Sequence, residues 1–221
     1  MAGFAADGAI VTPQIIYPFE RVPQHIRNQF PDTMHLSHSK SGWNNGELFL
    51  EYITDIFHPY VVKKKLILPV ILFVDGHSSH LTLDVFQRGE ALNIIIIKLL
   101  PNTTFLMQPA DVSCFKSLKS IWRKVIIDFK KPDITRRVQK TDFALLMWKA
   151  FQQMKTETVI NGFKASGIYP WDYNAIDFSK CLGTRTTAIT PACIIPPCIM
   201  APPNSDFNMK RYAILTYILS F

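Results

Sequence analysis

Two aspartates stand where this 221-residue chain could do chemistry. Asp75 closes the run Val70 to Val74, VILFV, in which Val70, Ile71 and Val74 are β-branched. A run this short, β-rich and unalternating predicts a strand buried on both faces. Asp75 then lies at its carboxyl end, where open α/β sheets collect ligands and chemistry. Asp111 follows 36 residues later and opens a helical pattern. Phe115, Leu118, Trp122, Val125 and Phe129 fall 4, 7, 11, 14 and 18 residues beyond it, on one helical face. Asp111 therefore belongs to the apolar stripe rather than the basic side. A carboxylate there is expensive unless it caps, pairs or binds a cation. If the two acids face each other across the strand ends, hard oxygen ligands favour Mg²⁺ or Mn²⁺. Two such ions about 3.5–4 Å apart clamp the attacking and leaving oxygens of phosphodiester chemistry, but two carboxylates rarely hold two ions, so a third acid is needed. The plain alternative is that Asp75 caps a turn at Gly76 and Asp111 caps a helix.

Charge points the same way. Lys and Arg exceed Asp and Glu by 7, and the pI is near 9.2. The excess is concentrated between Val112 and Lys140, where nine basic residues meet only Asp128 and Asp133, leaving the remainder neutral. Lys116, Lys119, Arg123 and Lys124 head this segment. A concentrated basic face suggests a polyanion such as nucleic acid, against a merely solvated helix face. His77 and His80 are three apart but lack a further Cys or His at metal spacing, so they are assigned to shaping the loop after Asp75 or contacting nucleic acid rather than to zinc. Cys114, Cys181, Cys193 and Cys198 make neither a secreted disulfide framework nor a zinc pattern. The N-terminus lacks a basic region and reads poorly as a signal peptide. The closing YAILTYILSF is too short to span a membrane.

Several elements must position these residues. Asp7-Gly8 predicts a hairpin turn, with Ile10-Val11 and Gln14 to Tyr17 as its second strand. Residues 18–42 read as an irregular excursion. Asn44-Asn45-Gly46 caps a helix over Glu47 to Phe57 that His58-Pro59 stops. Thr82 to Leu92 forms a helix ended by Asn93, and Ile94 to Leu100 forms a second buried strand. Together with Val70–Val74 these make a right-handed βαβ unit. Residues 101–109 are a loop. One or two helices follow over Thr141 to Thr158, the helical pattern continues to Ser166, and Gly167 is a C-cap. Beyond Lys180 the chain shows no period, and no structure is expected there.

The motifs VDGHSSH, LPNTTFLMQPADVSCFKSLKSIWRK and NGFKASGIYPWDYNAI, with SGW…ELFLEYI and ADGAIVTPQIIYP upstream, resemble the DDE transposase domain of the pogo/Tigger/jerky-type group. The resemblance runs in order from about Ala5 to Ile176. It implies an RNase H-like mixed α/β sheet flanked by helices, Mg²⁺-dependent strand cleavage and transfer, DNA as partner, no membrane, no small-molecule cofactor and a nuclear location. Self-association stays open. By motif, Asp75 is the second metal-binding acid and Asp111 the third. The first acid belongs to a strand upstream of the hairpin, next to the Asp75 strand, and no counterpart is found here, since Asp7 is explained by its turn. The expectation is thus an N-terminally truncated, transposase-derived domain, lacking its first strand and catalytically incomplete. Its alternative is an active enzyme completed by a longer product or a partner. A doubly wound nucleotide-binding domain is disfavoured because no Gly-rich phosphate loop is present. The expected layout is an incomplete core over 1–140, a helical extension over 141–178 and an irregular Pro-rich tail over 179–221.

Overall fold

A computed structural model of the chain describes residues 1–77, 82–100, 102–181 and 214–218. Its centre is a five-stranded sheet in the order β2-β1-β7-β5-β6. The strands are β1 (Ala2–Ala5), β2 (Ile10–Val11), β5 (Val70–Val74), β6 (Ile94–Lys98) and β7 (Ile214–Ile218). β1 runs antiparallel to both β2 and β7, whereas β7, β5 and β6 are parallel. A separate parallel pair joins β3 (Gln14–Pro18) to β4 (His35–Ser39).

β5 is buried along its whole length and feeds two cores. Ile71 and Phe73 pack into one with Leu118, Val125, Phe151 and Phe163. Val70, Leu72 and Val74 pack into the other with Phe49, Tyr52, Ile53 and Val85. The first core is closed by α5 (Thr104–Met107), α6 (Phe115–Lys130), α7 (Lys140–Gln152) and α8 (Thr156–Ala165). The second is closed by α2 (Gly46–Glu51), a π-helical segment Tyr52–Phe57, α3 (His58–Lys63) and α4 (Leu83–Ala91). β5, α4 and β6 make the predicted parallel βαβ unit, with Thr82 capping α4 and Asn93 turning the chain at φ 55 into β6.

Several expectations are corrected. The tail is not irregular throughout, because residues 214–218 form β7. That run of β-formers pairs on both sides, Ala2 to Ala5 on one and Ile71 to Phe73 on the other. The place beside β5, expected to lack its strand, is therefore filled by β7. Sequence periodicity carries no trace of this, because the pairing partners lie more than 140 residues away in the chain.

Gln14 to Tyr17 does not continue the hairpin. It leaves to pair with β4, which the irregular reading of residues 18–42 missed, as it missed the short α1 (Gln24–Arg27). Glu51 ties that small sheet to α2. Its Oε1 accepts from Ser37 Oγ at 2.6 Å and lies 2.6 Å from His35 Nε2. Pro59 does not stop the helix. The preceding π-turn has already opened the hydrogen-bond ladder, so the missing proline donor costs little there. β6 is not buried like β5. It is the sheet's edge, and only Ile94 is fully covered. Residues 104–107, expected as loop, form α5. Gly167 terminates α8 as predicted, at φ +68, with its N–H donating to the Lys164 carbonyl.

Candidate active site

Asp75 is the first residue past β5 and is only 4% exposed. By strand alternation it continues the side of Ile71 and Phe73, towards α6. One of its oxygens, Oδ1, accepts the His77 backbone N–H at 3.1 Å. The turn-capping reading is thus part of its role, but a buried carboxylate is more than a turn requires. His77 is exposed on that turn. His80 lies outside the described residues.

Asp111 does not cap a helix. It sits in the first turn of a π-helical segment, Ala110–Cys114, which starts at Pro109 and runs straight into α6. α8 holds this turn from outside. Ser113 Oγ donates to the Thr158 carbonyl at 2.8 Å. Gly162 faces the turn so closely that a Cβ there would stand 2.6 Å from the Pro109 oxygen. Ala110 and Cys114 drop into the core. Burial pushes the Cys114 thiol up to about 12, which marks it as packing rather than a reactive nucleophile.

The two acids come together electrostatically. Burial, then the like charge of Asp75, lifts the Asp111 carboxyl above the usual carboxylate range, and the Lys119 ammonium draws it part of the way back. In a regular α-helix, eight residues would leave Lys119 about 80° around the axis from Asp111. The wider π-turn takes up part of that offset. Single π-turns inside helices are frequent at functional sites.

Lys116, Arg123 and Lys124 are exposed along α6, as is Lys119. Among the described residues none of the four makes an ion pair, whereas Lys131 pairs with Asp128 and Arg136 reaches Asp142. One residue was missed by the sequence reading. Lys98 ends β6 opposite Val74, so its side chain reaches the turn after Asp75. The available signal was a lone cation closing an isoleucine run.

Asp75 and Asp111 are the residues at this end of the sheet that could hold a divalent cation. Two oxygen-donor side chains oppose each other's charge, and a cation relieves that opposition. Among the described residues, no group of three or more His, Cys, Asp or Glu side chains gathers at metal-holding distance.

The chain was compared with known proteins. It is 25% identical over 170 residues to the MFS-type transporter clz9 of Cochliobolus lunatus, an alignment covering 76% of this chain. The chain spans 18% of that protein's length. Among the described residues no helix is long and apolar enough to cross a membrane. No solved structure matches the chain. The family model of the DDE superfamily endonucleases matches residues 1–163, which include both aspartates and the whole β1-to-α8 core except its last two helical residues. A mixed α/β sheet with helices on both faces is consistent with such a nuclease, and the chain belongs to the DDE superfamily endonuclease family.

Proposed function

We propose that this domain is a transposase-derived, DNA-handling member of the pogo/Tigger/jerky-type group, working in the nucleus and catalytically incomplete as this chain. The observation that carries the reading is the meeting of Asp75 and Asp111 at one end of the sheet, close enough for their charges to oppose. The two carboxylates would hold one Mg²⁺ or Mn²⁺, which when bound supplies positive charge to phosphodiester oxygens. The protein's own part is to hold both acids half-buried or buried on a rigid strand end and a braced turn.

The RNase H-like reading is supported by the mixed sheet, with β7 antiparallel to β1 and parallel to β5. Incompleteness is supported by what fills the place beside β5. The resemblance puts the first acid on the strand adjoining the Asp75 strand, and here that strand is Ile-Leu-Thr-Tyr-Ile, without a carboxylate. The helical extension over 141–178 reads as part of the same domain, since Leu146, Phe151, Val159 and Phe163 join the core under α6. DNA as partner is supported by the exposed basic row on α6, which makes no ion pair among the described residues.

The test is a Mn²⁺ titration followed by electron paramagnetic resonance. One ion per chain should bind, and Asp75→Asn and Asp111→Asn should each abolish it while far-UV circular dichroism stays unchanged. Binding that survives both substitutions would sink the site.

A further inference from the structure

Lys98 stands directly opposite Val74, and the Leu99 N–H carries the pairing one step further, to the Val74 carbonyl at 2.9 Å. That register brings the Lys98 stem across the turn that begins at Asp75. A Cβ built on Gly76 would meet Lys98 Cε at 3.2 Å and Nζ at 3.9 Å. Gly76 has no positive φ, so what its lack of a side chain provides here is room for the lysine. Lys119, exposed on α6, is near enough for its charge to act on Asp111. Both lysines are exposed, and among the described residues neither makes an ion pair.

Two lysines thus border the acids: Lys98 at the sheet edge, over the turn that follows Asp75, and Lys119 on α6, whose charge acts on Asp111. A metal ion between the two acids would cancel their charge and leave the positive charge of the two lysines exposed. That pattern suits a chain of phosphodiesters rather than a lone phosphate, which would need its cations converging on one point. Lysine is a compact point charge and contacts a phosphate without demanding a fixed orientation. We infer that Lys98 is a phosphate contact which, with Lys119 on α6, seats one strand of a nucleic acid across the carboxyl ends of β5 and β6. The inference rests on the reading of Asp75 and Asp111 as the metal pair, which sets the reacting phosphate beside the two lysines. The strand would then continue along Arg123 on α6.

The experiment measures duplex DNA affinity against salt concentration in EDTA, so that metal chemistry plays no part. Each lost phosphate contact should flatten the log–log slope by about 0.9. Lys98→Met, which keeps the stem over Gly76, should flatten it by that amount. Lys119→Met should do the same, and the double variant should lose about 1.8. Lys98→Arg should restore the wild-type slope, which a packing role for the stem would not predict. Lys64→Met, in the segment leading to the other end of β5, should leave the slope unchanged. The inference is overturned if Lys98→Met behaves like Lys64→Met, or if the wild-type chain does not bind DNA. Slopes that fall as expected while Mn²⁺ binding fails its own test would refute the metal pair and leave Lys98 as a phosphate contact.

Discussion

Thr216→Pro should cost the domain about 3–4 kcal/mol, a large part of the 5–15 kcal/mol by which such domains are stable. Thr216 is the middle of β7, paired with Phe4 of β1 on one side and Phe73 of β5 on the other. Proline removes the backbone donor and is confined to edge strands, first positions and bulges. Each buried ladder partner left unsatisfied costs about 1–3 kcal/mol. Thr216→Val keeps the donors and the β-branch, and it should stay within about 1 kcal/mol of wild type. Urea unfolding of both variants checks this. The proline variant should also aggregate on dilution from urea, because the freed edge of β5 is apolar along its length. Equal midpoints for the proline and valine variants would remove β7 from the sheet's centre.

Gly162→Ala should destabilise the chain by about 2 kcal/mol and weaken Mn²⁺ binding more than tenfold. The added Cβ would lie 2.6 Å from the Pro109 carbonyl oxygen and 3.2 Å from Ser113 Cβ. The first of these is backbone and cannot swing aside. α8 must back away from the π-turn, straining the Ser113-to-Thr158 hydrogen bond. Overpacking of this kind costs about 1–3 kcal/mol, against at most about 1 kcal/mol gained in helix propensity. The functional loss follows from where the strain lands, since the displaced turn carries Asp111. Denaturant unfolding and the Mn²⁺ titration read the two effects separately. A stable variant with unchanged Mn²⁺ affinity would mean that α8 does not set the position of Asp111.

The legible parts of the chain are those whose cause is local. β5 shows as an unalternating β-branched run, α4 and α6 as apolar spacings with a cap or a charged opposite face, and Gly167 as a helix end needing a positive φ. The candidate residues Asp75 and Asp111 stand out in the sequence because both sit at the ends of such elements. What escaped depends on distant partners. β4 is His-Leu-Ser-His-Ser, a strand only because β3 lies beside it. The β7 residues carry β propensity, but nothing near them in sequence says that β1 and β5 await them. The π-turns at Tyr52–Phe57 and Ala110–Cys114 have no signature, since the extra residue is accommodated by packing. For that reason the sequence places Asp111 at the start of a regular helix, whereas it lies in the first turn of a π-helical segment. Lys98 was overlooked because its meaning lies in cross-strand register with Val74 and not in its neighbours along the chain.

The most direct test of the account is incubation of the pure chain with supercoiled plasmid and Mn²⁺, beside an Asp75→Ala control. Phosphodiester cleavage needs metal charge on both the attacking and the leaving oxygen. The account gives this chain one ion held by Asp75 and Asp111, and a strand without a carboxylate beside them. It predicts no nicking above the protein-free blank at any Mn²⁺ concentration that saturates the site. Mn²⁺-dependent nicking by the wild-type chain that vanishes in Asp75→Ala would contradict it, and would mean that another acid completes a working centre.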